Sequence, residues 1–236
     1  MASAFELIGL GSQGWGHALL QGLGVTLQIS AGSFVVGIVL GLLLACGKLS
    51  GSRALAVPMR IYTTLFRAVP ELLMILILYY VGSMGLNAAL DWAGFAPINV
   101  NGAWVAIVVL GMVQGAYASE IFRAAILAIP HGQIEAARAF GLSGIGLFRR
   151  VTLPMMAPFA LAGMANLWIN LIKDSALISV VGTNELLYTA KQAAGSTRQY
   201  LLFYLSAAAL YYLVTLFSNH MSGRLERRIR RWMPLV

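Results

Sequence analysis

Five apolar stretches, at residues 19–46, 56–87, 102–129, 154–181 and 200–221, leave this chain few choices of fold. About 20 apolar residues in a helix cross the hydrocarbon core of a bilayer, and each stretch is long enough to do so with some tilt. Only 10% of the 236 residues are charged, against about 25% in an ordinary soluble domain, and the mean hydropathy is +0.80. A water-soluble fold would have to expose large apolar patches, so lipid is the solvent for most of this surface. The expected class is all-α: a polytopic membrane protein of about five transmembrane helices. Five spans and their connections use up residues 1–236, which are read as one domain. Residues 1–16 lack the basic start of a secretory signal, and the first apolar run is too long for one. Cys46 stands alone in an apolar run, so it is expected to be a small buried hydrophobe.

The connections set an orientation. Lys48, Arg53, Arg60 and Arg67 cluster at the first; Arg123, Arg138, Arg149 and Arg150 at the third; Arg224, Arg227, Arg228, Arg230 and Arg231 in the tail. Thirteen of the sixteen basic residues thus fall on one side, while the other side has Lys191 and Arg198. The positive-inside rule then puts the N-terminus outside and the C-terminus in the cytoplasm. This also accounts for the net charge of +8 without any nucleic-acid partner. The arginine-rich tail is suited to anionic lipid, or alternatively to a partner protein.

Within the runs, small residues recur at helical spacing: Ser33, Gly37, Gly41 and Ala45 in the first, Gly111 and Gly115 in the third. Such faces let backbones approach closely, within a subunit or between subunits. Pro70 removes a backbone bond inside the second run and predicts a kink or break. Two polar stripes follow, Gln114, Tyr117 and Glu120 on one helix and Asn166, Asn170 and Lys173 on another. They face protein or a water-filled cavity rather than lipid. Two readings stand for them: the lining of a polar path, or mutual pairing such as Glu120 with Arg123 and Arg67 with Glu71. Lys173 and Asp174, adjacent and opposite in charge, suggest internal compensation at a helix or subunit contact. His17, His131 and His220 show no metal-ligand spacing, so no metal is expected. The stretch from Gly41 to Lys48 imitates a phosphate loop, but five residues separate its glycines and Leu49 follows the lysine.

The most informative segment runs from Pro130 to Pro154. Pro130 can open a helix, Ala136, Ala137 and Ala139 favour one, and Gly141 can end it in a left-handed conformation. Leu142, Ile145 and Phe148 then recur every third residue, predicting a second short amphipathic helix stopped near Pro154. On the cytoplasmic side its apolar face would need a protein to cover it.

This segment resembles the signature of ABC importer permeases: Glu-Ala-Ala, three residues, Gly, nine residues, then Ile-x-Leu-Pro. Glu135, Ala136, Ala137, Gly141, Leu153 and Pro154 fall in register, with Val151 in place of the isoleucine. The likeness extends over most of the chain. Gly115-Ala116-Tyr117 with Glu120-Ile121-Phe122-Arg123, the run from Tyr62 to Glu71 with Ala68 where glycine is usual, and Lys173-Asp174-Ser175-Ala176-Leu177 are similar to elements of the polar amino-acid subfamily. With Gly47-Lys48-Leu49-Ser50 the pattern is most similar to the Q-type permeases of histidine/lysine/arginine/ornithine and opine importers.

The resemblance implies a bacterial inner-membrane transport subunit for polar amino acids, cationic ones or opines in particular. It also implies two separate ATPase subunits that use ATP and Mg, a periplasmic amino-acid-binding protein and a second, homologous permease. The chain itself would bind no cofactor and would not be an enzyme. Glu135, Ala136, Ala137, Gly141, Leu153 and Pro154 would couple to the ATPase. Gln114, Tyr117, Glu120, Asn166 and Asn170 are the candidates for the substrate path. Two rivals remain: an ion-coupled secondary transporter using Glu120, and a structural membrane anchor. The first leaves the 130–154 segment unexplained, the second the polar stripes.

Overall fold

In the computed structural model the described residues are 4–11, 14–96 and 102–232, and they fold as helices joined by short turns, with no strand among them. A short helix α1 (Ala4–Ile8) leads into α2 (Gly16–Lys48), followed by α3 (Arg53–Ala68), α4 (Glu71–Trp92) and α5 (Gly102–Leu127). Helices α6 (His131–Ala139) and α7 (Gly144–Leu147) precede α8 (Leu153–Asp174), α9 (Leu186–Thr197) and α10 (Tyr200–Trp232). Five helical stretches are long and apolar enough to cross a membrane: Gly16–Lys48, Glu71–Trp92, Gly102–Leu127, Gly144–Val181 and Tyr200–Ile229. The all-α, five-span expectation therefore holds.

Helix α5 is the centre of the bundle, packed along α2 and also meeting α3, α4 and α8. Lipid tails are as apolar as leucine, so helices associate here by close packing rather than by escape from water. The two small-residue faces meet each other. A Cβ on Gly41 would lie 2.6 Å from that of Ala118, and one on Gly37 3.2 Å from that of Gln114. From the other side, Gly111 receives Val36 and Gly115 receives Leu40. Ser33 seals the seam by donating its hydroxyl to the Ile107 carbonyl at 3.2 Å. Both stripes thus serve packing within the chain. Cys46, between them and the turn, is only half-buried.

The second apolar run is two helices, not one. Val69 is extended (φ −93°, ψ 139°) and Pro70 is the N-cap of α4, so the chain breaks where proline bars its predecessor from the helical region. Helix α3 is outside the five spans, and the crossing element is α4 alone.

A second departure concerns Pro154. The short helix after Gly141 does not stop there. It widens into one π-helical turn, Phe148–Thr152, and continues into α8 with Pro154 in its first turn. A π turn shifts the hydrogen-bond register, which lets the helix pass a residue that has no N–H to donate. The connection that carries Lys191 and Arg198 holds a packed helix. In α9, Leu186, Ala190, Ala193 and Ala194 are fully buried against Leu19 and Phe203.

Candidate functional site

The midpoint of α5 is where the membrane-buried polar groups converge. Gln114 is 98% buried there, and its Nε2 donates to Oδ2 of Asp174 at 3.1 Å. Its carbonyl Oε1 has no hydrogen-bond partner although it is buried. One turn further along α5, the Tyr117 side chain is within electrostatic reach of both Glu71 and Asp174. The Arg67 guanidinium stands over that ring, 5.8 Å from its centroid.

Two interrupted helices supply these groups. Glu71 is the first residue after the α3–α4 break, and Asp174 is the last residue of α8 before a 3-10 turn, Ser175–Val181. Breaks of this kind free backbone groups that lipid cannot satisfy, so they occur where protein or water lines a cavity. Asn170 is one turn below Asp174 on α8 and half-buried; Asn166, a turn further, and Lys173 are exposed. The path candidates Gln114, Tyr117 and Asn170 are thereby drawn toward one junction, with Asn166 trailing from it.

Glu120 lies elsewhere, in an ion network that spans three helices. Its Oε1 accepts from the Lys48 ammonium at 2.7 Å and its Oε2 from Arg123 Nε at 2.9 Å, while Arg67 approaches Oε1 at 3.9 Å. Lys48 also donates to Ser119 at 3.0 Å and is almost wholly enclosed. The Glu120–Arg123 pair matches the helical spacing. The expected Arg67–Glu71 pair does not form, because the extended Val69 separates the two residues onto different helices and Arg67 turns to Tyr117 and Glu120 instead. Nor does Lys173 compensate Asp174 by an ion pair: adjacent helical positions point apart, and Asp174 turns to Gln114.

The 130–154 segment carries the other candidate residues. Glu135 and Ala136 are exposed on α6, Ala137 is buried and Leu153 and Pro154 are exposed at the start of α8. Gly141 ends α6 with φ +80°, a conformation that costs other residues about 1–2 kcal/mol. Phe140 and Ile145 are 89% and 84% exposed, apolar side chains presented to solvent beside Arg138, Arg149 and Arg150.

Sequence reasoning missed Glu185 altogether. It is the N-cap of α9 and is fully buried, accepting from the Leu187 and Tyr188 N–H groups at 2.9 and 2.7 Å and from the Tyr211 hydroxyl at 2.8 Å. Thr26 of α2 completes the set at 3.3 Å. Burial pushes this carboxyl above the ordinary glutamate pKa, and the four donors pull it part of the way back. The signal available was a lone acid in a short connection just before an apolar run.

Residues 37–231 match the model of the family described as binding-protein-dependent transport system inner membrane component. The chain belongs to this family. This permease is 39% identical over 227 residues to the octopine transport system permease protein OccQ of Rhizobium radiobacter, covering 96% of each chain. It is 36% identical over 215 residues to the histidine/lysine/arginine/ornithine transport system permease protein HisQ of Escherichia coli, covering 91% of this chain and 94% of that one. Its fold matches a chain of the crystal structure of an amino acid ABC transporter with histidines, with a TM-score of 0.75, 28% identity, and 91% and 95% of the two chains covered. The permease is thus the multi-pass membrane subunit of an ATP-driven importer. It is a transport subunit and not an enzyme; ATPase subunits and a substrate-binding protein complete such a system.

Proposed function

We propose that this permease admits polar amino acids, cationic ones or opines, and that the α4–α5–α8 junction recognises the cationic end of the substrate. The observation that carries the reading is the Asp174 carboxylate bound to Gln114 at one helix break, with Glu71 at a second break within electrostatic reach of it and a buried amide oxygen, Gln114 Oε1, without a partner. Two carboxylates and a free acceptor are what an ammonium or guanidinium group needs when it leaves water. Tyr117, Asn170 and Asn166 extend the same polar path. The substrates for which OccQ and HisQ are named, octopine and histidine, lysine, arginine and ornithine, are compatible with this chemistry. Glu120, held by three cations, fastens α2 to α3 and α5 rather than meeting substrate.

The N-terminus lies outside and the C-terminus in the cytoplasm, following the basic residues. The exposed Asn166 and Lys173 at membrane depth support a second, homologous permease subunit across the path, since lipid would not solvate them. At the cytoplasmic end Glu135, Ala136, Ala137, Gly141, Leu153 and Pro154 shape the surface on which the ATPase closes, with Phe140 and Ile145 as its apolar anchors. ATP and Mg are bound by that partner. Closure of the ATPase pair tilts the core helices and alternates access to the junction. The test is uptake of arginine, histidine and glutamine by the reconstituted complex carrying Asp174→Asn or Glu71→Gln. Cationic substrates should lose tenfold or more while glutamine changes little, roughly the effect of one lost charged hydrogen bond. Equal losses for all three would remove the junction from recognition, and uptake without the ATPase would overturn the importer mechanism itself.

A further inference from the structure

An apolar groove runs between α8 and α10 and is floored by α2. It comprises two hollows of about 490 and 370 Å³ that share Trp168 and Ser222. Trp168 is fixed at their meeting point: its Nε1 donates to Ser218 Oγ at 3.1 Å, and its ring meets Phe34 edge-on at 5.3 Å. From Leu153 at one end to Trp168 the groove follows α8 for about 22 Å at 1.5 Å per residue. That exceeds the depth of one leaflet, about 15 Å, so a whole acyl chain fits along it.

Four exposed arginines lie close in the chain to the residues at the Leu153 end. Arg224 and Arg228 are three residues beyond Met221 and Leu225, on the face of α10 that lines the groove, and both are exposed. Arg149 and Arg150 stand in the π turn just before Leu153, also exposed. Glu226 is the one acid in this part of α10 and is half-buried. The side chains of Arg230 and Arg231 lie outside the described residues. An apolar channel of chain length with four arginines close in the chain to one end complements one kind of molecule, an amphiphile with an anionic head. We propose that the α2–α8–α10 groove is a specific site for an anionic phospholipid, its acyl chain against Trp168 and its phosphate held by Arg224 and Arg228. The site goes beyond the transport reading and does not depend on it. A general attraction of the tail to anionic membranes needs no groove; this site does.

Trp168 is the built-in reporter. The complete transporter is reconstituted in phosphatidylcholine with a fraction of lipid brominated in the middle of its acyl chains, as phosphatidylglycerol or as phosphatidylcholine. The fluorescence difference between the complex and its Trp168→Phe variant isolates this side chain. Brominated phosphatidylglycerol should quench it at a mole fraction roughly 5- to 30-fold lower than brominated phosphatidylcholine, the preference that one or two arginine contacts supply. Arg224→Gln with Arg228→Gln should abolish that preference, and the corresponding lysine pair should keep it. Ala157→Phe, which fills the groove, should weaken quenching by both lipids. Equal quenching by the two lipids in the unmodified complex would overturn the proposal. So would a preference that survives the glutamine pair. Quenching by neither lipid would mean that protein covers the groove, which is the second permease subunit's surface and not a lipid site.

Discussion

The Lys48 ammonium lies 2.7 Å from the Glu120 carboxylate across 72 residues of sequence, and only 2% of its side chain is exposed. Arg123, bound to the same carboxylate, has 41% of its side chain exposed. The two cations are therefore not equivalent. Glu120→Gln strands a buried ammonium and should cost about 3–5 kcal/mol of stability, whereas Arg123→Gln should cost no more than about 1 kcal/mol. Thermal unfolding of the purified complex checks this, and adding Lys48→Met to Glu120→Gln should recover much of the loss. Equal shifts for the two single variants would show that Arg123, not Lys48, is the important partner.

Gly141 offers a clean test of backbone against bulk. Nothing lies within 4 Å of where its Cβ would be, and its φ is +80°. Gly141→Ala should therefore act through conformation alone, at about 1–2 kcal/mol, while Gly141→Asn, which tolerates the left-handed region, should act more weakly. Substrate-stimulated ATP hydrolysis in proteoliposomes should fall in that order, with Glu135→Lys also uncoupled. Full stimulation in Gly141→Ala would separate this turn from coupling.

On α2, two glycines should respond oppositely to the same substitution. Gly41→Ala drives a Cβ to 2.6 Å from Ala118 and should loosen the α2–α5 seam, by about 1–3 kcal/mol as overpacking does. Gly24 faces open space, and Gly24→Ala should stabilise by up to about 1 kcal/mol. Melting of the two variants in one detergent decides the matter; equal shifts would mean that the seam yields.

The orientation is tested by labelling. In a Cys46→Ala background, Ser196→Cys should react with an impermeant thiol reagent in intact cells and Ser143→Cys should not; both positions are exposed. The reverse pattern would invert the topology and place the 130–154 segment out of reach of any ATPase.

Much of this architecture could be read from the chain. The number of spans follows from apolar length, and the break at Pro70 and the turn at Gly141 follow from backbone chemistry that two residue types settle locally. The pairing of Gly41 with Ala118 could be foreseen only as a small-residue face, because a stripe does not say which helix it meets. What stayed hidden was non-local. Lys48 reads as one more cytoplasmic cation until folding brings Glu120 to it, and Asp174 reads as the partner of its neighbour Lys173 until α5 presents Gln114. Helical periodicity shows which side chains share a face; it does not show how two interrupted helices arrange their ends.

Through the π turn at Phe148–Thr152 the helical backbone runs without a break from the short helix after Gly141 to Asp174. From Gly144 to Asp174 the backbone is one continuous helical run of about 45 Å along its path at 1.5 Å per residue, with Pro154 and Pro158 inside it. A rod swung by ten degrees about its cytoplasmic end carries its far tip sideways by about 8 Å on that length. Under the proposed coupling, no relay of side chains is required between ATP and substrate. The ATPase would turn the cytoplasmic end of a lever whose far end carries the carboxylate facing the transported cation. Grip on the substrate and the stage of nucleotide turnover would then be two readings of one angle.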